Sequence, residues 1–146
     1  GGLVSRLPGD AVNVPGAMAL AASGDPENAY RAGKLIGQEL RSLGPNFNFA
    51  PDVDVNSNSK NPVIGVRSYG DNPHEVSRYA KRAIAGLLEG GVPCTAKHFP
   101  GHGDTDVDSH LALPCVDKSL EELEQVDLIP FQAAIEAERY LSEHSL

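Results

Sequence analysis

Basic side chains are scarce in this chain of 146 residues: 12 Lys and Arg stand against 20 Asp and Glu, for a formal net charge of -8. Binding to a phosphate backbone needs clustered Lys and Arg, so nucleic acid is a poor partner for this surface. No apolar run approaches the roughly 20 residues that span a bilayer, and no signal peptide is visible. The only cysteines are Cys94 and Cys115, too few to suggest a disulfide scaffold. Cys94 lies in an apolar run and reads as a buried thiol. Neither a G-x-S-x-G elbow nor a phosphate-cradling P-loop occurs. No cofactor is expected.

The residues that are present alternate between helical and extended patterns. Residues 1–22 are rich in Gly and Pro and read as a long irregular connection. Asp25-Pro26-Glu27 is a helix start, with Asp as cap, Pro in the first turn and acid at the positive dipole end. Ala29, Ala32, Ile36, Leu40 and Leu43 then recur at helical spacing until Gly44-Pro45. N-F-N-F-A-P over 46–51 reads as a short strand, and 52–71 as a polar loop. Asn72-Pro73-His74-Glu75 opens a second helix with an apolar stripe from Val76 to Leu88, stopped by Gly90-Gly91. Residues 92–98 read as a second strand. Ser119 and Glu122 form a capping box for a third helix, with a break expected near Ile129-Pro130. Strands alternating with helices imply an α/β chain with a parallel sheet, and polar loops after the strands are where such folds carry their sites.

The chain is organised around residues 96–114, A-K-H-F-P-G-H-G-D-T-D-V-D-S-H-L-A-L-P, which hold three of the five histidines. A metal reading is weak. His98 and His102 would share a helix face, but Pro100 and Gly101 forbid the helix. Asp104, Asp106 and Asp108 resemble the start of an EF-hand loop, yet Ser109 and Cys115 stand where Gly and Glu are needed. A solvated polar loop is the bland alternative. Acid-base chemistry fits better, because Asp108 beside His110 can orient an imidazole for proton transfer. Lys97 and His98 end a strand and could bind hydroxyls of a polar, uncharged substrate. These groups leave glycosyl, acyl and proton transfer open.

K-H-F-P-G-H-G-D-T-x-x-D-S-H, from Lys97 to His110, resembles the signature of glycoside hydrolase family 3 β-N-acetylhexosaminidases, which cut N-acetylglucosamine from peptidoglycan-derived muropeptides. G-G-L-V-S-R over 1–6, residues 46–70 and L-I-P-F-Q-A-A-I over 128–135 resemble the same family. The resemblance covers residues 1 to about 137; the last residues, 137–146, look divergent. It implies an α/β fold contributing about three βα units of a (β/α)8 TIM-type barrel, and retaining hydrolysis. His110 would be the acid/base and Asp108 its dyad partner; Arg6, Arg67, Lys97 and His98 would bind the sugar, with no metal. The partner implied is a carbohydrate, an N-acetylglucosamine-containing muropeptide. The compartment implied is the cytoplasm, although relatives of this kind also act outside the membrane. A β-glucosidase or a phosphorylase of the same family, and an inactive binding module, are the alternatives.

The chain starts without Met and lacks the S-D-D or T-D-D type sequence that carries the family's nucleophile, so it reads as part of a longer barrel. Three βα units cannot close eight strands. The 146 residues alone are therefore expected to be poorly stable and inactive; a cooperative thermal transition together with glycosidase turnover from this piece would contradict that reading.

Overall fold

The computed structural model describes residue 9, residues 11–106 and residues 115–144, with side chains described as far as residue 139. Five α-helices lie in these stretches: α1 (Ala17–Ala22), α2 (Glu27–Leu43), α3 (Pro73–Glu89), α4 (Leu120–Gln125) and α5 (Ile129–His144), with a 3-10 turn at Gly65–Arg67. The helix boundaries follow local chemistry. Asp25 accepts the Glu27 amide at 3.0 Å, and Gly44 closes α2 with φ 106°, a left-handed cap that favours glycine. Asn72 accepts the amides of His74 and Glu75 to cap α3. The Ser119–Glu122 capping box is formed at α4, and a short break separates it from α5. The irregular connection expected over residues 1–22 is instead helical at Ala17–Ala22, where five small or aliphatic side chains and a methionine follow Gly16.

The two expected strands run side by side and parallel. Asn48 bridges Cys94 and Asp52 bridges Lys97. Between them Thr95 donates to Asn48, Lys97 donates to Pro51 at 3.1 Å and Val53 donates to Lys97 at 2.8 Å. The pairing stays at isolated bridges because Pro51 and Pro93 lack the N–H that a continuous ladder would use. Phe47 and Phe49 sit exposed beside this pair, packed edge to face.

α3 is the central helix, packed against both α2 and α5. Its stripe of Val76, Tyr79, Ala80, Ala83, Ile84 and Leu87 is buried. Tyr69 stacks on Tyr79, and Val53, Val55 and Phe131 complete that core. α2 and α3 approach so closely that a Cβ on Gly86 would lie 2.1 Å from the Tyr30 carbonyl oxygen. Glycine is required at this crossing to let the backbones meet. The ion pairs across it, Lys34–Glu89 at 2.6 Å and Arg82–Glu27 at 2.7 Å, are largely exposed and add little stability. Gly86→Ala is expected to destabilise the full-length protein by about 1–3 kcal/mol through overpacking. An unchanged denaturation midpoint would show that the helices separate at no cost.

Candidate active site

The D-V-D-V run over 52–55 follows the first extended segment, and its side chains alternate. Val53 and Val55 enter the helix-facing core, while period-two geometry turns Asp52 and Asp54 to the other face. Asp54 is 1% exposed and is the centre of the polar cluster. Its Oδ1 accepts the His102 amide at 2.7 Å and the His98 amide at 3.3 Å. Its Oδ2 lies 2.6 Å from His98 Nδ1, and its carbonyl accepts the Ser68 hydroxyl at 2.6 Å. One carboxylate thereby holds both ends of the K-H-F-P-G-H turn.

Arg67 reaches the same cluster from the 3-10 turn. Its Nη2 lies 3.2 Å from His98 Nε2 and 3.2 Å from Asp52 Oδ2. That turn is shaped by Asn61, whose side-chain oxygen accepts the amides of Val63 and Ile64. The Asn61 amide group donates to the His102 carbonyl at 2.7 Å, so it ties the arginine turn to the histidine turn. His102 Nδ1 is engaged with Thr105 Oγ1 at 2.6 Å. Gly103 passes so close to Val55 that a Cβ would lie 1.8 Å from its carbonyl oxygen. Beyond it, Lys118 bonds Asp127 at 2.8 Å and Asp104 at 3.0 Å, and Asn58 donates to Asp106 at 2.5 Å.

The two buried carboxyls divide their charge. Burial and the neighbouring Asp54 carboxylate push Asp52 up to about 8, against a smaller opposing pull from Arg67. Burial also works to raise Asp54, but hydrogen bonds from His98, Asp52 and the His102 backbone outweigh it and hold Asp54 below the usual carboxylate range. The negative charge is thus favoured on Asp54 and disfavoured on Asp52. Burial, with a smaller push from Glu138, raises the Cys94 thiol to about 12, which leaves it an inert core thiol.

Of the expected site residues, the structure brings His98 and Arg67 into direct contact and places Lys97 beside them, half-buried, with its backbone bridging Asp52. Arg6, Asp108 and His110 lie outside the described residues. Sequence reasoning passed over Asp52, Asp54 and Asn61, which fell in a stretch assigned to a polar loop. The signal was available: Asp and Val alternate directly after a strand, which puts two carboxylates on one face and two β-branched side chains on the other. Asp52, Asp54 and His98 offer ligand atoms within 4.8 Å of one another, a set that could hold a cation. The Arg67 guanidinium already sits against Asp52 and His98, so a positive charge is in place and a metal would meet repulsion. Of the other metal candidates weighed from sequence, His102, Asp104 and Asp106 make contacts with Thr105, Lys118 and Asn58, and Asp108 lies outside the described residues.

The raised Asp52 has a measurable sign. An unfolded Asp loses its proton near pH ~4, whereas the folded one keeps it to about 8. Across that window the unfolded state binds fewer protons, so stability falls as pH rises. Asp52→Asn removes the titration. The melting temperature of this variant relative to wild type should rise steadily from about pH 5 to about pH 8, and a pH-independent difference would refute the assignment.

Comparison with known proteins identifies the family. The glycosyl hydrolase family 3 N-terminal domain matches residues 1–141. The β-N-acetylglucosaminidase of that family from Paenibacillus sp. str. FPU-7 superposes with a TM-score of 0.90 at 54% identity, covering 93% of this chain and 26% of that one. NagZ from Neisseria gonorrhoeae superposes with a TM-score of 0.84 at 36% identity, covering 92% and 41%. Beta-hexosaminidase A from Pseudoalteromonas piscicida is 45% identical over 141 residues, 94% of this chain and 24% of the relative. The chain thus spans a quarter to two fifths of the length of these proteins. The matched domain is of TIM-barrel type, the parallel βα alternation agrees with it, and the chain belongs to glycosyl hydrolase family 3.

Proposed function

We propose that the protein hydrolyses terminal β-linked N-acetylglucosamine from muropeptides or related glycosides, by a retaining mechanism. The observation that carries this reading is the partly buried His98–Arg67 pair, held by Asp54 and Asp52 at the end of two parallel extended segments, with Lys97 next to His98 in the chain. Charged donors of this kind grip sugar hydroxyls, and Arg6 joins them on sequence grounds. His110 is the acid/base and Asp108 the partner that orients it; a histidine replaces the carboxylic acid usual in glycosidases. The likeness to two proteins described as β-N-acetylglucosaminidase and beta-hexosaminidase supports the substrate class. So does NagZ from Neisseria gonorrhoeae, whose structure has been solved with N-trifluoroacetyl-D-glucosamine. The chain supplies about three βα units of the barrel. Peptidoglycan recycling in the cytoplasm is the setting we assign to the reaction.

The test is made on the full-length protein with aryl β-N-acetylglucosaminide and aryl β-glucoside. The N-acetylglucosaminide is expected to be the better substrate. His110→Ala should lower its kcat/KM by about 10²- to 10⁴-fold and spare substrates whose leaving group needs no proton. A preference for the glucoside, or an unaffected variant, would make a β-glucosidase the better reading. A sugar phosphate formed only with added phosphate would make the enzyme a phosphorylase.

A further inference from the structure

His98 has two ring nitrogens, and the groups facing them leave one arrangement of its proton. On one side stands Asp54, an acceptor-only carboxylate that already takes two backbone N–H groups. Nδ1, 2.6 Å from Asp54 Oδ2, must therefore carry the hydrogen. On the other side stands the Arg67 guanidinium, which has donors and no acceptor. Nε2, 3.2 Å from Arg67 Nη2, must therefore supply a lone pair. The chain of contacts runs Arg67 N–H to His98 Nε2, then His98 Nδ1–H to Asp54.

We infer that Asp54 is a positioning residue: it fixes the His98 tautomer, and through the His98 Nε2 lone pair it aims the Arg67 guanidinium into the sugar site. This rests on the reading of His98 and Arg67 as sugar-binding residues given above. Asp54 itself is 1% exposed and meets no substrate. Its other neighbours agree with the assignment. The Asp54 amide donates to Asp52 Oδ1 at 3.1 Å, and among the described residues Asp52, Arg67, Tyr69 and the His102 ring, edge to face on His98, are ionisable groups around the pair. Burial, reinforced by the Asp52 carboxyl, keeps the Tyr69 hydroxyl protonated. Hydrogen-bonded partners of this kind set the tautomer and the aim of a functional histidine elsewhere.

The discriminating substitution is Asp54→Asn in the full-length protein. The new side-chain oxygen can still accept the amides of His98 and His102, so the turn is kept. Its NH₂ group would take the place of Oδ2 and donate to Nδ1, which forces the hydrogen onto Nε2. Nε2–H would then face Arg67 N–H, donor against donor, and the guanidinium would lose its aim. Nitrogen-15 spectra of ring-labelled histidine read the tautomer directly, with His98→Gln identifying the signal. Wild type is expected to show a protonated Nδ1 and a bare Nε2, and Asp54→Asn the reverse. The variant's kcat/KM on aryl β-N-acetylglucosaminide should fall by about 10- to 100-fold, mostly in KM, with the melting temperature nearly unchanged.

A wild-type spectrum with the hydrogen on Nε2 would overturn the inference, and it does so even if Asp54→Asn fails to fold. A switched tautomer with unchanged kinetics would overturn the positioning role. If wild type does not cleave the N-acetylglucosaminide, the proposed function fails, while the spectra still decide what Asp54 does to His98.

Discussion

The Asp54 carboxylate is the interaction on which the site depends. Removing a carboxylate from water costs several kcal/mol even after relaxation. Asp54 offsets this with three N–H donors: the amides of His98 and His102 and the His98 ring. Hydrogen bonds to charged groups contribute about 1.5–3 kcal/mol each, so cost and gain are of similar size. The net effect of the cluster on stability is therefore small, and its consequence is geometric. Three segments distant in sequence, the D-V-D-V run, the arginine turn and the histidine turn, meet at one residue: the Asp54 carboxylate holds the histidine turn and the Asp54 carbonyl takes the Ser68 hydroxyl of the arginine turn.

The rest of the fold supplies a platform for that junction. Glycines at the α2–α3 crossing let two helices meet backbone to backbone, and α3 carries the core against which Val53 and Val55 pack. With the valines seated, the aspartates between them have only the opposite face to occupy. Exposed ion pairs along the helices, such as Lys81–Glu136, decorate this platform without determining it. Lys118 is different, because it is mostly buried between Asp104 and Asp127 and joins the polar turn to the residues just before α5.

The helices were legible in the sequence because their ends are written in local chemistry. Asp25, Asn72 and Ser119 cap what they were expected to cap, and Gly44 closes what it was expected to close. α1 was not legible, since Gly16 and Pro15 mask a six-residue apolar helix that is stabilised by packing rather than by a side-chain cap. The extended segments lie where they were expected, except that the first continues past residue 51 to pair Asp52 and Val53 with Lys97, and their prolines reduce the pairing to bridges. In the site, Lys97, His98 and Arg67 stood out because their motif is specific. Asp54 did not, because a loop reading discards alternation and because its partners lie more than forty residues away. Such a residue is found only when the backbone has brought its donors together.

The most direct measurement of this account is a crystal structure of the full-length protein with N-acetylglucosamine bound. The account predicts ring hydroxyls within about 3.2 Å of the Arg67 and Lys97 side-chain nitrogens, with His98 Nδ1 still on Asp54. A sugar seated away from these groups, or a His98 ring that has left Asp54 in the complex, would contradict it.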